Sequence, residues 1–210
     1  MKTSKKLAVT LSLMISLFVL KDAFAMNTEA YQHYKNAMVY TTSNNFEEAV
    51  KELKLAIELD PNDTILHTKL AGVYFELGQW KEALKEYKEA VNLKPNDAFV
   101  YISMGNILQQ HEDYTGALNA YMQANLLFPE YRYNLLNIAS AKALLGDYNG
   151  AADYYNRFLY YYPDHVAARE NLASLFLQLK KPENAVKEYR YLYEKNPAQF
   201  KEYTNYGCAL

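Results

Sequence analysis

Between Leu70 and Val91 the apolar residues fall at helical spacing. Leu70, Ala71 and Tyr74 mark one face, Gly78 interrupts it, and Trp80, Ala83, Leu84, Tyr87, Ala90 and Val91 mark a second that stops at Pro95. Separations of three and four residues build one stripe of an amphipathic helix; glycine leaves the helical path readily and proline cannot continue it. The stretch predicts two short helices joined by a tight turn. The pattern then recurs. Pro61, Pro95, Pro129, Pro163 and Pro197 are each 34 residues apart, as are Ala49, Ala83, Ala117, Ala151 and Ala185. Three more columns share that spacing: Ala37, Ala71, Gly105, Ala139, Ala173; Phe46, Trp80, Tyr114, Tyr148, Pro182; and Leu53, Tyr87, Tyr121, Tyr155, Tyr189. Five columns in register without an insertion predict one helical hairpin, repeated.

The small columns have a packing reason. Where helices cross at roughly 8–10 Å, Ala or Gly lets the backbones approach, and the aromatic columns fill the spaces beside them. Pro182 breaks the aromatic column without ending the pattern, because proline suits a first helical turn and Lys180-Lys181 can serve as the linker. On these positions the sequence resembles the tetratricopeptide repeat (TPR), whose unit is a 34-residue helical hairpin. The resemblance implies an all-α, right-handed α-solenoid. Its five repeats would lie at about 30–63, 64–97, 98–131, 132–165 and 166–199, with a capping helix over 200–210. Lys142 stands where the family has an apolar or aromatic residue and Phe158 where it has alanine. The fourth repeat is therefore expected to pack or curve differently.

The start of the chain reads as an address. Lys2, Lys5 and Lys6 precede fourteen uncharged, mostly apolar residues from Leu7 to Leu20, followed by Lys21, Asp22 and Ala23-Phe24-Ala25. This order is that of a secretory signal peptide covering residues 1–25. As a helix the apolar run would span about 21 Å, short of a ~30 Å hydrocarbon core, so export to the periplasm or medium is expected over retention as a membrane anchor. Cleavage would remove four lysines and one aspartate and leave 18 bases against 23 acids, a net charge of −5. An acidic chain of this kind gives no cue for nucleic acid or anionic lipid. Few glycines and prolines (7 and 6 in 210 residues) leave little room for the turns of an all-β fold, and one cysteine excludes an internal disulfide framework.

Residues with chemical potential have simple readings. His33 and His67 share one repeat position, but equivalent places on stacked repeats lie roughly 8–10 Å apart, too far for two zinc ligands near 2.0–2.1 Å; they are expected to be packed aromatic substitutes. His111 and His165 are expected to face water at helix ends. Asn62-Asp63-Thr64 is a glycosylation sequon, yet Pro-Asn-Asp recurs at Pro95-Asn96-Asp97 without the acceptor hydroxyl, so helix capping explains both copies. Cys208 is expected to be a buried free thiol, with pairing between chains as the alternative. There is no nucleophile elbow, dinucleotide or phosphate loop, or metalloprotease motif. No enzyme activity, cofactor or metal is expected.

The resemblance implies where function should sit. In this family the first helix of each repeat lines a concave wall. The matching positions here place Tyr31, Tyr34, Lys35 and Met38 there from the first repeat, and Ile65, Thr68, Lys69 and Phe75 from the second. The third supplies Phe99, Ile102, Asn106 and Gln109, the fourth Tyr133 and Asn137, and the fifth Asn171 and Ser174. Amides both donate to and accept from a peptide backbone, so Asn106, Asn137 and Asn171 are expected to hold an extended segment, with the aromatics supplying buried area. The two-carboxylate clamp of one TPR subfamily is excluded, since Ile102, Ala167 and Asn171 occupy its basic places. A second candidate surface comprises Tyr154, Tyr160, Tyr161 and Tyr162 with Phe128 and Tyr131, some of which must be core. The expected function is an exported, non-enzymatic adaptor for a protein or peptide. A structural module that self-associates through its ends or its tyrosine-rich edge is the alternative.

Overall fold

A computed structural model describes residues 28–195 and residue 197. The expected signal peptide, the capping helix over 200–210 and Cys208 lie outside the described residues. Every regular element among them is helical. The helices are α1 (Thr28–Thr42), α2 (Phe46–Leu59), α3 (Thr64–Glu76), α4 (Trp80–Leu93), α5 (Ala98–Gln110), α6 (Tyr114–Leu127), α7 (Asn134–Leu144), α8 (Tyr148–Tyr161), α9 (Val166–Gln178) and α10 (Pro182–Lys195). None is long and apolar enough to cross a membrane. The chain forms two compact units, one ending at Pro95 and one beginning at Asn96. In the N-terminal unit α1 packs on α2, α2 on α3 and α3 on α4. In the C-terminal unit the hairpins α5–α6, α7–α8 and α9–α10 are joined by the contacts of α6 with α7 and α8 with α9.

Each hairpin turns at one register position. Asn44, Gly78, Glu112, Gly146 and Lys180 all take positive φ, between 56° and 79°. They are 34 residues apart, so the turn is a property of the repeat. Glycine enters this region without steric cost, which makes Gly78 and Gly146 the legible copies. Beyond the turn, Asp113 and Asp147 cap α6 and α8 by accepting from the Gly116 and Gly150 backbone N–H groups.

The small columns are the closest packed. Ala37, Ala71, Ala139 and Ala173 are buried, as are all five alanines from Ala49 to Ala185. Gly105 has a reason of its own. A Cβ there would lie 2.5 Å from Cε1 of Tyr121, a ring that is itself fully buried. Removing that one carbon lets the tyrosine lie against the α5 backbone.

The fourth repeat departs as expected, with visible causes. Its first helix, α7, has 11 residues against 13 in α3, α5 and α9. Asp63 and Asp97 cap α3 and α5, accepting from Ile65 N–H and Phe99 N–H, but the equivalent residue before α7 is Tyr131, which offers no acceptor there. The backbone compensates with tighter bonds, from Asn134 N–H to Tyr131 O and from Leu135 N–H to Arg132 O. Phe158, in place of an alanine, is wholly buried within the cluster formed by Leu135, Ala139, Tyr155, Leu172 and Leu175. Lys142 reaches out of the packing to Asp147, 2.7 Å away, and that bond together with the Gly150 N–H holds the Asp147 carboxyl below the usual carboxylate range.

Candidate functional site

The two matched histidines, one buried and one half-buried as packed side chains, also act as hairpin braces. His33 Nδ1 lies 2.7 Å from Glu52 Oε2, and His67 Nδ1 lies 2.8 Å from Glu86 Oε2. His67, which is buried, also bonds the Pro61 carbonyl through Nε2 at 3.1 Å. Both pairs bridge the two helices of one repeat at a separation of 19 residues. Three repeats after His67 and Glu86, the same positions hold Arg169 and Glu188, which are also bonded. The His33 hydrogen bond, supported by a second from Asn36, keeps the Glu52 carboxyl below its ordinary range. In the third and fourth repeats the two places hold Tyr101 with Ala120 and Leu135 with Tyr154. Among the described residues no group of three or more His, Cys, Asp or Glu could hold a metal ion. His165 is not simply solvated either: its Nδ1 accepts from Ala168 N–H at the start of α9, and its ring stands 5.0 Å from that of Phe158.

The residues expected on the binding wall all lie outside the core. In the N-terminal unit α1 carries Tyr31, Tyr34, Lys35 and Met38, and α3 carries Ile65, Thr68, Lys69 and Phe75, each exposed or half-buried. Tyr31 and Tyr34 stack with centroids 6.2 Å apart and Lys35 lies over the Tyr31 ring. In the C-terminal unit α5 carries Phe99, Ile102, Asn106 and Gln109, Tyr133 stands just before α7, Asn137 is on α7, and Asn171 and Ser174 are on α9. None of these eight is buried.

The three asparagines differ in what they bond. The Tyr121 hydroxyl donates to Asn106 Oδ1 at 2.8 Å, and Asn171 Nδ2 donates to the Tyr155 hydroxyl at 3.2 Å. Burial pushes the Tyr121 phenol up to about 12 and raises that of Tyr155, so both hydroxyls keep their protons at neutral pH. Asn106 therefore has its carbonyl engaged, and Asn171 its amino group. Asn137, half-buried, keeps its whole amide unpartnered among the described residues. Beside it Gln109 Nε2 donates to Ser140 Oγ at 3.4 Å and ties α5 to α7, while Gln109 Oε1 is buried without a partner.

Phe99 and Tyr133 each join a cluster of rings. Phe99 packs edge-on against Phe128 at 5.9 Å and Tyr131 at 5.3 Å. One repeat later Tyr133 meets Tyr162 at 5.1 Å and His165 at 6.4 Å. Tyr131 joins the two triads, 6.2 Å from Tyr133. The equivalent places in the first two repeats hold Asp60, Asp63, Lys94 and Asp97. The tyrosine-rich region also divides: Tyr154 and Tyr131 are half-buried, while Phe128, Tyr160, Tyr161 and Tyr162 are exposed and none is core. The buried tyrosine there is Tyr155.

Family models match this architecture directly. One described as TPR repeat covers residues 38–78 and 71–112, and one described as tetratricopeptide repeat covers residues 136–200. The chain belongs to the tetratricopeptide-repeat family. No curated protein matches it. Among solved structures it is similar to the MamA protein, with 20% identity over 82% of this chain and 94% of that one and a TM-score of 0.76. It is likewise similar to YrrB, described as a TPR protein with an unusual peptide-binding site (19% identity, 88% and 96% coverage, TM-score 0.73). PilF of Pseudomonas aeruginosa aligns at 21% identity over 79% and 76%, with a TM-score of 0.64. At these identities the likeness concerns fold.

Proposed function

We propose that the protein is an exported, non-enzymatic scaffold that holds a partner polypeptide along the first-helix stripe of its C-terminal unit. The observation that carries this reading is the stripe's chemistry. Partnerless or half-engaged amides at Asn106, Asn137 and Asn171 alternate with the apolar side chain of Ile102 on the exposed faces of α5, α7 and α9. An amide left open on both sides matches the alternating donors and acceptors of an extended backbone. The peptide-binding site named for YrrB, a protein of the same fold, supports the class of ligand. Export rests on the basic, apolar and small-residue order of residues 1–25.

The test is affinity capture with the protein and with an Asn137→Ala, Ser174→Ala variant, whose changed side chains have no hydrogen bonds to lose among the described residues. The expected result is loss of the captured partner with an unchanged thermal midpoint. Equal capture by both proteins would remove the stripe from consideration. Self-association is the second reading, favoured by the exposed rings of Phe99, Phe128, Tyr133 and Tyr162. Light scattering over a concentration series decides it, since a constant monomer mass excludes it.

A further inference from the structure

Outside the first-helix stripe, the C-terminal unit has an open pocket of about 360 Å³ lined by Arg132, Leu135, Asn156, Arg157, Tyr160 and Tyr161. Its two arginines are stacked on tyrosines. The Arg132 guanidinium carbon lies 4.5 Å from the Tyr161 ring centroid and that of Arg157 lies 4.7 Å from the Tyr154 centroid. Neither makes an ion pair among the described residues, whereas Arg169 is bonded to Glu188. The nearest acids in sequence, Asp153 one turn before Arg157 and Glu130 in the loop before Arg132, pair with neither. Among the described residues Arg132 spends one N–H on the Pro129 carbonyl and Arg157 spends none.

A guanidinium lying on an aromatic face keeps its in-plane N–H donors pointing outward, in the fork that fits a carboxylate. Two such groups beside one hydrophobic floor form a local reversal of sign in a chain whose formal charge is −2. The pocket does not end at its rim. The Tyr154 hydroxyl, below Arg157, donates to Met122 Sδ at 3.5 Å, and Leu126 follows one turn later on α6. Leu126 is 75% exposed and Tyr160 82%, so an apolar strip runs on from the charged pocket.

We propose that this pocket is a second binding site, separate from the first-helix stripe, that takes the carboxylate side chain of an acidic partner peptide whose neighbouring residues are apolar. The arginines recognise the charge, Tyr160 and Leu135 enclose the side-chain stem, and Met122 and Leu126 receive the flanking apolar residues.

The probe is a short labelled peptide alternating Leu with Glu, compared with its Leu–Gln counterpart. Binding to the purified protein is read by fluorescence anisotropy, and the arginine Nε–H resonances by NMR, with Arg169 as the internal reference. The Glu peptide is expected to shift the Arg132 and Arg157 resonances and to bind at least about tenfold tighter than the Gln peptide. Arg157→Gln alone, and with Arg132→Gln, is expected to abolish that preference with an unchanged thermal midpoint. Equal affinity for the two peptides, or an unaltered preference in both variants, would overturn the assignment. So would an equal response of the two arginines to acetate or phosphate alone, which would make this a small-anion site. Asn137→Ala separates this site from the stripe: if that change removes binding of the Glu peptide, the peptide sits on the stripe and the pocket is overturned.

Discussion

The first two repeats and the third and fourth use one register to opposite ends. In the N-terminal unit the hairpins are braced by hydrogen-bonded pairs, His33 with Glu52 and His67 with Glu86, and the positions beside the next helix hold Asp60, Asp63 and Lys94. In the C-terminal unit the third and fourth repeats have apolar residues at the brace and aromatic triads at the repeat edge, Phe99–Phe128–Tyr131 and Tyr133–Tyr162–His165. Both solutions close the hairpin. They differ in what they leave outside. A polar brace and an aspartate cap use side chains on the fold itself, whereas the aromatic edges leave the large, rigid rings of Phe99, Phe128, Tyr133 and Tyr162 exposed. The comparison teaches that a repeat can keep its backbone and give a different surface to each unit.

The largest test acts on the most divergent residue. Phe158→Ala restores the alanine found at the same place in the first three repeats, yet the ring is wholly buried with no substitute to fill its volume. A stability loss of about 3–5 kcal/mol is expected in urea unfolding. A loss below about 1 kcal/mol would show that the fourth repeat can relax to the packing of its neighbours.

The next transplants one solution onto the other. His67→Leu leaves the Glu86 carboxylate facing an apolar side chain and should cost about 1–3 kcal/mol. Adding Glu86→Tyr, to reproduce the Leu135–Tyr154 pair of the fourth repeat, should recover most of that loss. Additive losses would mean that the two pairings are not interchangeable.

A smaller effect is set by pH. The hydrogen bond from His33 holds Glu52 below its ordinary range, so folding favours the ionised carboxylate. That contribution is complete above roughly pH 4.3, the unfolded value, and disappears as pH falls through the lower folded value. The stability gap between the protein and its Glu52→Gln variant should therefore be widest near neutrality and narrow on acidification. A gap that does not change with pH would remove the charge from the brace.

The smallest expected change is local. Tyr131→Asp supplies the missing cap before α7, as Asp63 and Asp97 do before α3 and α5. Amide exchange at Tyr133 and Asn134 should slow as the helix gains its first turn, with a net stability change within about 1 kcal/mol, because the cap is gained while the ring contacts with Phe99 and Phe128 are lost. Unchanged exchange would trace the short helix to Phe158 and not to the cap.

Much of this was readable one residue at a time. Gly78 marked a turn, Pro95 a helix end, and the Ala37-to-Ala173 column a close helix crossing, because backbone freedom and side-chain volume act at the residue that carries them. Pairings were not readable. Nothing in the sequence near His67 points to Glu86, 19 positions away, although recurrence of His and Glu at the same two places in the first two repeats was a usable signal. Asn106, Asn137 and Asn171 look alike as letters, but which part of each amide remains open depends on whether a tyrosine from a second helix reaches it.

The sequence alone determined the hairpin, its 34-residue period and the residues that cannot be large, since these follow from helical spacing, turn chemistry and volume. Tertiary structure decided which polar groups are engaged, which rings share an edge and which arginines stand without a carboxylate among the described residues. Those outcomes depend on distances between side chains on different helices, and such distances exist only after the helices have packed.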